Sequence, residues 1–558
     1  MEATEGTWDY VVVGGGSAGS VVANRLTERP NSSVLLLEAG PDARPLSVRV
    51  PALIQKIGSD LNWLYPVQPD GSRHGAEDPY SSGRCIGGSS AINAMMWVRG
   101  DPLDYDGWAA AGCEGWDWAS VLPAFRRSER FEDGGSDLRG GTGRQRVVRT
   151  RVSHPLIDVF IEAAGQTGVP RLDDYNARAG AGASRSQVTQ VRGFRQSAAD
   201  AFLAPARRRS NLTVRSGALV TRVTTTDGRA DGVEYVVDGI TRTARARREV
   251  LLCAGALGSP KLLMLSGIGP ADDLAGHGIP VVADLPGVGR NLQDHPASAL
   301  VFKVRDRTLN QDVTPLRLLR HALDFALRGR GAITSTSNHA VAFAPLDPAS
   351  PVSQIELIFM AFGLAPATGD DDGSNDGHGG GLRRLTARSG GRSEGRRQAA
   401  AEPLVTAQAA LLHPRSRGRV SLRSGNPSEP PLIRFDLLGD DGDIADLTAA
   451  TRRVREIFGA PAMKPHVVSE QTPGPGVDDD RSWEQHLRAT TFRLCHPTST
   501  CAMGTGADAV VDPALRVHGV QRLRVIDASV MPSLPGANTN ATTVMVAERG
   551  SDLVRAAD

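Results

Sequence analysis

The fold of this chain is decided near its N-terminus by the stretch Trp8-Asp9-Tyr10-Val11-Val12-Val13-Gly14-Gly15-Gly16-Ser17-Ala18-Gly19. The apolar, β-branched residues predict a strand, the glycines a tight turn, and the following Ser20–Leu26 a helix. Gly14 permits the turn, Gly16 lets backbone approach a pyrophosphate, and Gly19 lets the helix pack closely on the strand. The order strand, turn, helix predicts a Rossmann-like nucleotide-binding unit.

The next predicted strand, Val34–Leu37, ends in Glu38. At this position a carboxylate accepts hydrogen bonds from ribose hydroxyls, and it repels a 2′-phosphate. The two strands, the turn and the acidic residue together predict a dinucleotide site, with FAD and NAD both open at this point.

Length and composition restrict the class of protein. A chain of 558 residues exceeds the size at which a single core stops growing, so two domains are expected. With 63 basic and 62 acidic side chains, no dominant field favours nucleic acid as a partner. The five cysteines include no C-x-x-C pair, so neither a disulfide framework nor a metal site is expected.

The N-terminus does not predict a targeting segment. Acidic Glu2 and Glu5 precede the first strand and leave no room for a basic and apolar leader. No apolar run reaches the length of a membrane span, so a cytoplasmic protein is expected.

Further segments resemble the signatures of the glucose-methanol-choline (GMC) family of FAD-dependent oxidoreductases. The first is a second loop of small residues, where backbone can approach a flat ligand. The segments that carry the resemblance are 83–95, 255–270, 285–295, 525–532 and 536–548.

This resemblance implies an α/β protein of two domains, in which an antiparallel-sheet substrate domain is inserted into a Rossmann-like FAD domain. The FAD domain is assigned to residues 1–151, 177–300 and 495–558, and the substrate domain to 152–176 and 301–494. Ile355–Phe359 and Leu404–Leu412 fit strands of the antiparallel sheet. Residues 366–402, rich in glycine, predict a flexible insertion.

The resemblance also implies which residues contact FAD. The family sometimes attaches its flavin to a histidine in the first signature loop, but the matching residue here is Ile92, so non-covalent FAD is expected. The expected cofactor contacts are Gly14, Gly16, Ser17, Ala18, Gly19, Glu38, Ala39, Arg84, Gly87, Gly88, Ser89, Asn93, Ala94, Met95, Val220, Ala254, Gly255, Asp527, Ala528, Asn538 and Thr539.

Alcohol oxidation needs a base within hydrogen-bond reach of the hydroxyl group. His496, in Leu494-Cys495-His496-Pro497, matches the position of the family's base, and histidine titrates in a suitable range. The second catalytic position aligns with Asn540, whose amide could orient the substrate oxygen; Asn538 is the alternative.

The expected reaction is the oxidation of an alcohol to an aldehyde or ketone, with hydride transfer to flavin N5. The expected substrate is a primary alcohol on a small ring or chain. The family also contains lyases and a decarboxylase that act on carbon–carbon bonds, which form the alternative. Oxygen and other electron acceptors both remain open, as does the oligomeric state.

Overall fold

A computed structural model describes residues 3–177, 180–312, 314–363 and 402–557. The predicted flexible insertion lies outside the described residues except for its last residue, Glu402. Within these ranges, no helix is both long enough and apolar enough to cross a bilayer.

The first sheet has seven strands and contains the predicted nucleotide-binding unit. Its parallel centre places 3–13 between 34–37 and 240–252, with 212–215 and 523–525 outside them. An antiparallel meander, 219–226, 229–237 and 240–252, extends one edge. Tyr10–Val13 and Val34–Leu37 are buried, as expected of a parallel sheet that is covered on both faces.

The second sheet is the predicted antiparallel sheet. Its strands are ordered 467–472, 296–304, 404–411, 355–360, 340–344 and 182–185, with 492–493 paired to 296–304. Helices Pro155–Gln166 and Asp441–Gly459 cover one face. On the other face, Phe343 and Ile358 pack with Met96, which follows the small-residue loop of the first domain.

The strand Gly182–Arg185 departs from the predicted division of the chain. It falls inside the range 177–300 assigned to the first domain, yet it pairs with Ala340–Ala344 at the edge of the second sheet. Four residues of mixed polarity carry little strand signal, so only the pairing reveals where they belong.

Twelve α-helices occupy the described residues. They are Ser17–Leu26, Leu46–Arg49, Pro102–Ala110, Trp118–Ser128, Pro155–Gln166, Ala204–Ala206, Gly255–Leu265, Ala271–Gly276, Pro315–Arg328, Asp441–Gly459, Asp480–Thr490 and Thr539–Ala556. Smaller sheets pair 268–269 with 283–284, 419–421 with 432–434, 190–191 with 194–195, and 145–149 with both 129–131 and 187–188.

One strand of the second sheet buries a carboxyl group without a partner. Glu356 is fully buried, and neither of its carboxyl oxygens has a hydrogen-bond partner among the described residues. Burial raises the pKa of Glu356 from 4.5 to about 8. The group is therefore largely protonated in the folded protein at neutral pH.

Replacing Glu356 with glutamine is expected to stabilise the protein at alkaline pH. Because the folded-state pKa is raised, the protonated carboxyl group contributes fully below pH 4.5, and this contribution is lost as the pH rises to about 8. Glutamine does not ionise, so the free energy of unfolding of Glu356→Gln should exceed that of wild type by a few kcal/mol near pH 8 and by much less near pH 5.

Urea denaturation at the two pH values measures this difference. Glu162→Gln, on the exposed side of helix Pro155–Gln166, is the matched control and should show no such trend. An unchanged gap between Glu356→Gln and wild type across this pH range would refute the assignment.

Candidate active site

A cavity of about 500 Å³ lies between the two sheets. Its lining includes the glycine turn, the ends of the first-sheet strands, His496, Asn538 and residues of the second sheet. The small-residue loop around Gly88 also lines the cavity, close to Gly16. The cavity therefore joins the predicted nucleotide site to the predicted catalytic residues.

The glycine turn has the geometry that a pyrophosphate requires. A Cβ atom added to Gly16 would meet only the Cα of Gly88, at 3.8 Å, so this side of the turn opens into the cavity. Helix Ser17–Leu26 begins here without a side-chain cap, which leaves N–H groups for an anion. Gly19 has a different role, because its Cβ would lie 1.9 Å from the Gly14 carbonyl oxygen.

Glu38 lies where the ribose is expected. Its carboxyl oxygens accept hydrogen bonds from the N–H groups of Gly15 and Gly40, at 2.7 and 2.8 Å. Burial raises the pKa of Glu38 to about 7, although these two hydrogen bonds act in the opposite direction. The carboxyl group is thus held rigidly at the cavity wall by backbone.

Eighteen of the twenty-one residues expected to contact the cofactor line this cavity. The exceptions are Gly19, Arg84 and Gly87. Gly16, Glu38, the uncapped helix and the flat, small-residue loop together fit the phosphates, ribose and ring system of FAD. Ile92 also lines the cavity, and its side chain cannot form a covalent bond to flavin.

A second helix begins at the catalytic end. Helix Thr539–Ala556 starts directly after Asn538, and Asn538, Thr539, Asn540 and Thr543 all line the cavity. The positive end of this helix dipole therefore faces the cavity, where it favours negative charge.

Hydrogen bonds determine which nitrogen of His496 can act as a base. His295 Nε2 lies 3.1 Å from the carbonyl oxygen of Leu412 and 3.2 Å from that of Pro535. Carbonyl oxygens only accept, so this nitrogen carries the proton, and Nδ1 of neutral His295 is an acceptor. His496 Nδ1 lies 2.9 Å from His295 Nδ1 and must donate to it. The lone pair of His496 is consequently on Nε2, which faces Asn538.

Burial keeps both rings neutral. It lowers the pKa of His496 to about 3 and, together with the neighbouring His496, lowers that of His295 well below its usual value. The Oδ1 atom of Asp294 accepts hydrogen bonds from the backbone N–H groups of both histidines, each at 2.8 Å. His496 is therefore neutral and is positioned by two independent sets of contacts.

The two candidate asparagines have different partners. Asn538 Nδ2 lies 3.3 Å from His496 Nε2, and its Oδ1 is buried without a partner among the described residues. Asn540 Oδ1 instead accepts a hydrogen bond of 2.9 Å from Ser17 Oγ in the glycine turn. The structure thus brings Asn538, rather than the expected Asn540, beside the candidate base.

Sequence reasoning missed two parts of the site. His295 is recognisable as part of a family segment, but its contact with His496 spans 201 positions and has no local signal. The stretch 54–65, which includes Trp63, also lines the cavity and shows no motif. Among the described residues, no cluster of three or more histidine, cysteine or acidic side chains could hold a metal ion.

Comparison with known proteins identifies the family. The two GMC oxidoreductase models match residues 8–297 and 414–547, which together make up more than half of the chain. The chain belongs to the GMC oxidoreductase family. This GMC oxidoreductase is 38% identical to the mitochondrial choline dehydrogenase of Homo sapiens, over 98% of this chain and 90% of the human protein.

Solved structures agree with this assignment. Pyridoxine 4-oxidase from Mesorbium loti superimposes with a TM-score of 0.84 at 29% identity, and 98% of each chain is covered. Formate oxidase of Aspergillus oryzae RIB40, in which FAD modification is described, gives a TM-score of 0.87 at 27% identity, over 100% of this chain and 99% of that one. This GMC oxidoreductase therefore uses FAD to oxidise the CH–OH group of an alcohol, and none of these relatives supports the lyase alternative.

Proposed function

We propose that the protein oxidises a neutral primary alcohol, with His496 Nε2 as the base and Asn538 as the group that orients the substrate oxygen. The observation that carries this proposal is the chain of hydrogen bonds from the Leu412 and Pro535 carbonyls through His295 to His496. It leaves a single unprotonated nitrogen at the cavity.

A substrate hydroxyl group that contacts both His496 Nε2 and Asn538 Nδ2 would replace the 3.3 Å hydrogen bond between them. It donates its proton to the histidine while its oxygen accepts a hydrogen bond from the amide. As the proton leaves, negative charge on the oxygen makes loss of hydride from the adjacent carbon easier. Bound FAD supplies the hydride acceptor. His295 Nδ1 stabilises the resulting imidazolium by accepting its other N–H.

The substrate end of the cavity supports a neutral substrate. Its walls carry apolar Met96, Ile358 and Phe492 and the amides of Asn338 and Gln408. Among the described residues, the acidic side chains that line the cavity are Glu38 and Asp527, both on the cofactor side. A quaternary ammonium group at the catalytic residues would therefore meet no carboxylate of the lining, since Asp294 beside His496 does not line the cavity, and burying such a cation unpaired is costly.

A panel of alcohols tests this proposal. The purified holoenzyme is mixed anaerobically with benzyl alcohol, pyridoxine or choline, and bleaching of the flavin absorbance is followed. We expect the neutral ring alcohols to reduce the flavin at least about tenfold faster than choline at equal concentration, since each 1.4 kcal/mol of lost binding is a factor of ten. Faster reduction by choline would overturn the proposed substrate class.

Gln408→Glu offers a matched variant, because it replaces an amide that lines the cavity with a carboxylate of the same shape. It should slow flavin reduction by the neutral alcohols and speed flavin reduction by choline.

Admitting air after the flavin is reduced and measuring peroxide distinguishes oxygen from another electron acceptor.

The compartment is a separate question. A cytoplasmic location is expected from the sequence, whereas the human relative is named as mitochondrial. The location of a fluorescent fusion in cells tests the expectation.

A further inference from the structure

Helix Pro315–Arg328 presents its apolar side to solvent. Leu316, Leu319, Leu323 and Leu327 are three or four positions apart and so form one stripe. They are 78, 57, 52 and 80% exposed, and no residue of this helix is buried. Surface helices of globular proteins normally turn such a stripe toward the core. Here the stripe has no covering among the described residues.

The opposite side of this helix makes its contacts with the protein. His321 pairs with Asp312 at 3.1 Å, and the ring of Phe325 packs edge-on against Phe194 with centroids 4.7 Å apart. The outward direction of the leucines is therefore determined by specific contacts on the other side. Five of the twelve large apolar side chains that are exposed on the described protein lie on this one helix.

A strongly basic cavity begins at the C-terminal end of the helix. Its volume is about 1000 Å³, and its lining contains nine arginines, among them Arg328 and Arg330, and no acidic residue among the described ones. Some of these arginines have carboxylate partners, such as Arg151 with Glu132. Five have no ion pair among the described residues, namely Arg130, Arg144, Arg146, Arg192 and Arg330.

From these two features we infer that the leucine stripe and the arginine cavity together dock onto an anionic lipid bilayer. A helix that is apolar on one side and basic beside it lies in the plane of a membrane, with the apolar side among the acyl chains. The adjacent guanidinium groups meet the lipid phosphates, which they bind in a forked geometry. We call the leucine stripe and the arginine cavity together the leucine–arginine surface.

Charge favours a bilayer over a second copy of this chain. Two such surfaces facing one another would bring uncompensated arginines together, and like charges across an interface oppose association. An anionic bilayer instead neutralises the arginines and covers the leucines at the same time.

The leucine–arginine surface lies close to the catalytic cavity in the fold. Residues Ala332–Thr334 follow the helix and contact Pro51–Lys56. Ile54 and Gln55 of that segment line the catalytic cavity. The contact between these two short segments thus connects the leucine–arginine surface to a wall of the active site.

Sedimentation with vesicles tests the inference on the purified holoenzyme. Vesicles of phosphatidylcholine, with and without phosphatidylglycerol, are compared for wild type, Leu319→Ser/Leu323→Ser and Arg192→Glu/Arg330→Glu. We expect wild type to bind the anionic vesicles, each double variant to bind them roughly tenfold more weakly, and salt to weaken the binding. Alcohol oxidation with a soluble dye should be unchanged in every variant.

Matched controls are available elsewhere on the surface. Ile240→Ser removes an apolar side chain that is 53% exposed, and Arg423→Glu reverses an exposed charge. Both should bind vesicles like wild type. Equal sedimentation of wild type with neutral and anionic vesicles, or unweakened binding by the double variants, would overturn the inference. So would a wild-type dimer that binds no vesicles and that the leucine variant converts to a monomer.

Discussion

Replacing His496 with alanine is expected to lower kcat for alcohol oxidation by about 10²- to 10⁴-fold, the usual contribution of a positioned general base. The loss follows from the hydrogen-bond chain, which leaves Nε2 of this ring as the unprotonated nitrogen beside Asn538. FAD content should be unchanged, because Gly16 and Glu38, which are expected to contact the phosphates and the ribose, are not altered. Anaerobic flavin reduction by the best alcohol of the panel measures the effect.

His518→Ala provides the matched control, because this ring lies outside the cavity lining. It should reduce its flavin at the wild-type rate. If His496→Ala retained wild-type kcat with full FAD content, His496 would not be the base. Partial recovery of kcat in His496→Ala on addition of imidazole would further support the role of His496 as the proton acceptor.

Asn538→Ala and Asn540→Ala are expected to have different effects. Asn538 donates toward His496 Nε2, so its loss should lower kcat by about 10²- to 10³-fold, as for other preorganised donors at a reacting oxygen. Asn540 contacts Ser17 in the glycine turn, so its loss should mainly weaken FAD retention. Stopped-flow reduction and the FAD-to-protein ratio separate the two effects.

The reverse result is equally informative. A large loss of kcat in Asn540→Ala, with Asn538→Ala near wild type, would return the catalytic role to Asn540, as family alignment predicts. Asn338→Ala is a suitable comparison, since this amide also lines the cavity but contacts the Ala94 carbonyl instead of His496.

The local sequence does not determine which of the two asparagines contacts His496. They are of the same residue type, are two positions apart, and flank the start of a helix. Which one reaches His496 depends on where that helix begins, since Asn538 immediately precedes it and Asn540 lies in its first turn. It also depends on how the helix is set against the distant segment around His496. Neither is encoded in a local pattern.

The leucines of Pro315–Arg328 are a second case in which local sequence does not determine tertiary placement. Their spacing indicates an amphipathic helix, and the ordinary inference would bury the stripe. The structure turns it outward because His321 and Phe325 hold the other side to the protein. Hydrophobic periodicity predicts the helix but not the direction in which its stripe faces.

By itself, the sequence determined the features that depend on neighbours along the chain. The strand, glycine turn and helix at Tyr10–Leu26, the acidic end of the second strand at Glu38, and the buried strands near Ile355 and Leu404 all follow from local sterics and periodicity. Tertiary structure alone decided the partners of side chains far apart in sequence: His295 with His496, Asn538 with His496, and Asn540 with Ser17. The physical reason is that backbone conformation is set within a few residues, whereas a hydrogen bond between distant side chains exists only after both domains have packed.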